Sequence, residues 1–170
     1  MRALILIAAI AVGACGETQV GNKAVPAPPS AAAPSPGQWE LTSEVTRFRA
    51  ADDGAPKINT PAGTRATQRI CLAAGSLPAE MLVGEGYDCR SSNDYVHNGR
   101  ISVNMTCRRS GLAGDILVTV NGTFTSDGME FTRGVRSQLS TQGDVEIDST
   151  VTGRRVGDCP AGGSAPAEGD

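Results

Sequence analysis

Ile116-Leu-Val-Thr-Val-Asn-Gly-Thr-Phe-Thr-Ser-Asp-Gly-Met-Glu-Phe-Thr-Arg-Gly-Val-Arg-Ser-Gln-Leu139 decides the fold. Ile116, Val118, Val120 and Phe124 alternate with Leu117, Thr119, Asn121, Thr123 and Thr125. Beyond Asp127-Gly128, the residues Met129, Phe131, Val135 and Leu139 share one face. Successive side chains of a strand point to opposite faces, so period two in Val, Ile, Thr and Phe marks half-buried strands. Asp-Gly between two such runs reads as a two-residue hairpin loop. That loop sets Phe124 opposite Phe131, Val120 opposite Val135 and Ile116 opposite Leu139, apolar against apolar. A slip of one residue would break every pair.

The same period extends outward. Val145, Ile147 and Val151 stand against Glu146, Asp148, Thr150 and Thr152, and the Thr141–Asp144 turn sets Leu139 near Val145 and Ser137 near Ile147. Trp39, Leu41 and Val45 repeat the pattern near the start of the domain. Asn98-Gly99 marks a further hairpin, between Asp88–Val96 and Arg100–Arg108. If Tyr95 opposes Ile101 there, Cys89 opposes Cys107. A three-residue loop with a glycine bulge permits that register, whereas a tight two-residue loop does not. Between Cys71 and Cys89 the alternation stops, and residues 76–82 read as one short helix. Ser76 or Leu77 stands near its cap and Pro78 in its first turn, with Gly84 and Gly86 ending it. The expected fold is therefore mainly all-β. It is an antiparallel meander of about seven strands, as a curved open sheet or a small barrel, with one short helix.

The N-terminus speaks about location. Arg2, the apolar run Ala3–Val12, and Gly13-Ala14 before Cys15 have the layout of a secretory signal. A cysteine directly after the small residues resembles a lipobox, which implies cleavage before Cys15 and a diacylglycerol on its sulfur. The bland reading is an ordinary signal with a chance cysteine; the run is too short to be a membrane-spanning helix. Gly16 follows, and the absence of aspartate there favours the outer membrane over the inner, on the periplasmic face of a bacterial envelope. The organisation expected is a signal over 1–14, a Pro/Ala-rich tether over 15–35, one domain over 36–160 and a disordered tail over 161–170. Extended proline-rich chain rises about 3.1 Å per residue, so the tether reaches roughly 40–60 Å.

Loss of residues 1–14 removes Arg2 from 15 basic residues, leaving 14 against 18 acidic ones and a net charge of about −4. That balance argues against nucleic acid and against a polybasic membrane surface. The membrane is engaged instead through the lipid on Cys15, and a partner is expected among envelope proteins or the cell wall. Four cysteines remain: Cys71, Cys89, Cys107 and Cys159. An even number in an exported chain reads as two disulfides. The competing metal reading fails for want of a C-x-x-C pair and of any histidine besides His97. The hairpin register selects Cys89–Cys107, which leaves Cys71–Cys159.

Catalytic and cofactor motifs are missing: no H-E-x-x-H, no G-x-S-x-G, no phosphate-binding glycine loop. His97 beside the Asn98-Gly99 turn reads as a solvent residue rather than a base, and Glu85 with Asp88 as a solvated pair rather than an acid–base couple. Trp39 reads as core rather than as a ligand platform. The acceptor patterns at Asn104 and Asn121 are discounted in a bacterial chain. Arg133 breaks its pattern, falling on the apolar face between Phe131 and Val135, with Gly122 expected opposite it. It is either a cavity-lining cation for a carboxylate or phosphate head group, or a structural arginine in an ion pair or with its head at the rim.

Pro36-Gly-Gln-Trp-Glu-Leu-Thr42, Gln68-Arg-Ile-Cys71, Tyr87-Asp-Cys89, Met105-Thr-Cys107 and Gly153-Arg-Arg-Val-Gly-Asp-Cys159 occur in that order. The combination, over about 36 to 160, resembles the bacterial exported family called domain of unknown function 3617. The resemblance implies a periplasmic or membrane-anchored β-rich domain and supplies no activity, catalytic residue or cofactor. The sequence thus points to a non-enzymatic binding or interaction module that works through a sheet face or edge. The alternative is a small β-barrel that carries an apolar or amphiphilic ligand, with Arg133 near its mouth.

Overall fold

Seven strands and one helical turn make up the computed structural model of the chain, which describes residues 32–74 and 77–161. They are β1 (Gly37–Ala50), β2 (Arg65–Leu72), α1 (Ala79–Val83), β3 (Tyr87–His97), β4 (Arg100–Arg109), β5 (Gly114–Phe124), β6 (Gly128–Leu139) and β7 (Val145–Gly157). All strands pair antiparallel in one sheet of order β2-β1-β7-β6-β5-β4-β3. Each strand bonds its chain neighbour except across β2 and β3, and β1 meets β7. The sheet therefore has the connectivity of an up-and-down barrel left open along one seam. α1 joins the two open edges, and Gln68 of β2 donates to the Glu80 carbonyl at 3.3 Å.

The inward residues are those of the period-two runs. Trp39, Leu41, Ile116, Val118, Val120 and Phe131 are all at most 2% exposed. Burying a side chain of this kind contributes roughly 1.5–3 kcal/mol. That explains how a five-residue helix persists, since an isolated helix so short does not form in water. Met81, Leu82 and Val83 are buried against the strands, so α1 acts as a plug on the packed face.

Helix and linker boundaries differ slightly from expectation. Pro78 is the N-cap, with extended backbone, and so precedes the first turn rather than lying in it. Gly84 ends the helix at φ 107° and donates to the Glu80 carbonyl at 2.9 Å. Ser76 lies outside the described residues, as do Cys15 and the rest of the leader and tether up to residue 31. Pro34 and Ser35, read as the end of the tether, already dock on the domain: Pro34 is buried and the Ser35 N–H donates to the Ser126 carbonyl at 2.9 Å.

Two expected registers are corrected by two residues. Phe124 pairs with Met129, Gly122 with Phe131, Val118 with Val135, Ile116 with Ser137 and Gly114 with Leu139. The loop centres on Ser126-Asp127, not Asp127-Gly128. The Thr125 N–H donates to the Gly128 carbonyl at 2.7 Å, and the Gly128 N–H to Thr125 Oγ1 at 3.0 Å. Gly128 stands at the last turn position and has no positive φ, so its conformational freedom is not used there. The β6–β7 register moves likewise, with Val135 on Ile147 and the Val145 N–H bonded to Ser137 Oγ at 2.8 Å. Ser137 therefore neighbours Val145 rather than Ile147.

The Asn98-Gly99 hairpin is corrected differently. Its loop is the tight two-residue form, with φ of 50° and 74° at Asn98 and Gly99. Tyr95 faces Ser102, not Ile101. A bulge between Ser91 and Asn93 then shifts the register by one and restores Cys89 opposite Cys107. The expected cysteine pair thus forms by a different route from the expected loop.

Candidate functional site

Both disulfides join the expected partners, Cys89–Cys107 across β3 and β4 and Cys71–Cys159 with a Cα separation of 5.5 Å. The second fastens the edge strand β2 to the chain just beyond β7.

Arg133 rises from β6 on the packed face, half-buried, between Val120 of β5 and Ser149 of β7. Gly122, expected opposite it, faces Phe131 instead, and a Cβ there would collide with that phenylalanine. The Arg133 Nη1 donates to the last carbonyls of α1, Val83 at 3.0 Å and Leu82 at 3.4 Å. Helix C-termini carry unsatisfied carbonyls and partial negative charge, so a cation there is favourable. Burial holds the Arg133 pKa below the ordinary arginine value, with Tyr87 pulling the other way; the guanidinium stays charged regardless. Among the described residues no carboxylate pairs with it, so the buried ion pair weighed from sequence is not how it is held.

A cleft of about 160 Å³ opens beside this guanidinium. Leu41, Met81, Val83 and Val151 give it apolar walls, and Ser43, Gln68 and Arg133 are its polar members. Ser149, opposite Arg133, is 2% exposed and its Oγ has no hydrogen-bond partner. Such a hydroxyl costs roughly 1–3 kcal/mol to leave unsatisfied. Sequence reasoning missed it, although Ser149 interrupts Val145-x-Ile147-x-Ser-x-Val151 just as Arg133 interrupts its own strand.

The other sequence candidates do not gather around this cleft. Trp39 is wholly buried and its indole N–H donates to the Ser35 carbonyl at 3.0 Å, which makes it core. His97 is exposed at the end of β3, edge-on to Tyr95 with ring centres 6.4 Å apart. Glu85 and Asp88 are exposed. Asp88 lines a surface cleft with Arg90, Thr106, Arg108 and Asp115. Among the described residues no three His, Cys, Asp or Glu side chains cluster as metal ligands, and no helix is long and apolar enough to cross a membrane.

Charge is concentrated on the opposite face. Glu40 on β1 stands between its register partners Arg69 on β2 and Arg154 on β7, and Glu146 on β7 between Arg49 and Arg136. The Arg154 hydrogen bond and then that of Arg69 hold the Glu40 carboxyl below its usual pKa; Arg49 does the same for Glu146. A third acid was invisible from sequence. Asp52, in the β1–β2 loop, accepts the N–H groups of Asp144 at 3.1 Å and Gly143 at 2.8 Å, which lower its pKa and clamp the β6–β7 turn.

Among the described residues no strand covers the outer edge of β3. From Ser91 to His97 every residue of β3 is exposed except Val96, which is half-buried, and Tyr95 is 45% exposed. Ser91, Ser92 and Asn93 turn their side chains back onto β4 carbonyls. The bulge and these contacts leave Asp94–His97 as the plain stretch of edge.

A family model described as "Protein of unknown function (DUF3617)" matches residues 34–159. No curated protein and no solved structure matches the chain.

Proposed function

The chain belongs to the DUF3617 family, and on that premise we propose that it is a lipid-anchored, non-enzymatic interaction module of the bacterial envelope. Cys15 carries the lipid, the tether spans from the membrane, and the domain engages an extended segment of another envelope protein along the edge of β3. The observation that carries this reading is that edge: among the described residues one side of Asp94–His97 has no strand partner, and Tyr95 and His97 stand beside it in an aromatic pair. An unpaired edge offers main-chain donors and acceptors to an incoming strand, and flanking side chains select it. A carrier of a whole amphiphile fits less well. Trp39, Leu41, Phe131 and Met81 fill the packed face, and the cleft beside Arg133 holds about 160 Å³, against roughly 300–1,000 Å³ for ordinary ligand pockets.

A photoreactive residue at position 95, in cells, should give one discrete protein adduct. The same residue at Val156, the other large hydrophobic exposed among the described residues, should give none. Adducts from both positions, or from neither, would remove the edge reading. Intact mass of the protein from its native envelope tests the anchor: acylated Cys15 is expected, and an unlipidated chain would refute it.

A further inference from the structure

The cleft beside Arg133 has chemistry that its structural role leaves unused. Only Nη1 of the guanidinium is bonded within the described residues, to the α1 carbonyls. The Nε–H and Nη2–H groups, which together form a planar fork, have no partner among the described residues. A guanidinium with two unpaired N–H groups beside the apolar walls of Leu41, Met81 and Val151 suits a ligand with an anionic end and an apolar end. Ser43 and Gln68 are the other polar side chains that line the cleft. The space is small, about 160 Å³.

We infer that this cleft is a binding site for a single carboxylate borne on a short aliphatic group. The Nε and Nη2 fork takes the two carboxylate oxygens in parallel. The aliphatic part lies against Leu41, Met81, Val83 and Val151. A space of about 160 Å³ admits only a short chain behind the carboxylate. A free short-chain acid and the C-terminus of a peptide ending in a small apolar residue share this chemistry. The site is separate from the β3 edge, and either reading stands without the other.

The test is an NMR titration of the purified full chain, following the Arg133 Nε–H and the Gly84 amide. Butyrate should shift both and saturate in the millimolar range, as suits so small a ligand. Butyramide, of the same shape but neutral, should not saturate. A short peptide ending in valine, with a free or an amidated C-terminus, separates the sources: tighter binding of the free-carboxylate peptide than of butyrate identifies a peptide terminus, and the reverse a free acid. Arg133→Lys, which keeps the charge and loses the fork, should weaken butyrate at least tenfold. Two results would overturn the site: no saturable shift with either carboxylate, or equal shifts with butyrate and butyramide. Both are read on the native protein, so a variant that fails to fold does not protect the inference. Position-95 adducts that persist in Arg133→Lys would show that the edge works independently.

Discussion

The two faces of this sheet use the same residue type for opposite ends. On the outer face arginines alternate with glutamates in rows, Arg69–Glu40–Arg154 and Arg49–Glu146–Arg136, all reaching solvent. On the inner face Arg133 stands among buried side chains and is held by helix carbonyls. Exposed ion pairs are individually worth little because water and salt screen them. A half-buried guanidinium is positioned by its surroundings and couples to everything packed on it. The outer rows therefore add little to stability, whereas the inner face determines whether there is a fold.

That contrast can be broken at graded points. The largest loss is expected from Phe131→Ala, about 3–5 kcal/mol by urea denaturation, because a large side chain leaves a cavity at the centre of the packed face. Gly122→Ala comes next, at about 1–3 kcal/mol, since its methyl would run into the Glu130 carbonyl and the Phe131 backbone and must shift the neighbouring strand. Gly128→Ala, whose Cβ would meet Thr125 Oγ1 at 3.3 Å and the Gly153 carbonyl at 3.9 Å, serves as the mild control. Arg133→Met keeps the stem but leaves the Leu82 and Val83 carbonyls unmet, for about 1–2 kcal/mol, and should raise hydrogen exchange in Met81–Gly84 first. A thermal shift from Glu40→Gln should be smaller than any of these. If Glu40→Gln costs more than Arg133→Met, the contrast between the faces is wrong.

Acid sharpens the comparison. The folded pKa values of Glu40, Glu146 and Asp52 are depressed. Their stabilisation is therefore complete above the unfolded carboxylate range near pH 4 and is lost as pH falls through the lower folded values. Added salt should shrink the Glu40 and Glu146 part, which rests on exposed ion pairs. It should spare the Asp52 part, which rests on backbone N–H groups. Denaturation below pH 4 in Asp52→Asn and Glu40→Gln, at low and high salt, separates the two.

Face assignment was legible in the sequence because it depends only on parity. Ile116, Val118, Val120, Phe124, Met129, Phe131 and Val135 are all buried as the alternation requires. Partner assignment depends on the turn, and Asp127-Gly128 sits one position later in its turn than that dipeptide usually does. A shift of two residues preserves parity, so faces survived while partners changed. The Ser91–Asn93 bulge left no local mark beyond a run of small polar residues. Arg133 was visible as a charge on an apolar face. What it bonds was not, because α1 approaches it from 50 residues earlier in the chain. The unsatisfied Ser149 hydroxyl and the Asp52 clamp likewise exist only once distant segments meet.

The β1–β7 pairing sets an order in time. Its contacts join residues from 95 positions apart, Ala50 with Val145, to 119 apart, Gln38 with Gly157. The hairpins from β3 to β7 need only short loops, and short loops close sooner and at lower entropic cost. A chain appearing from its N-terminus must therefore hold β1, with Trp39 and Leu41, beside β2 alone until the last strand emerges. The first strand made is the last to be completed, and premature ending anywhere before Val145 leaves its apolar face and one edge uncovered.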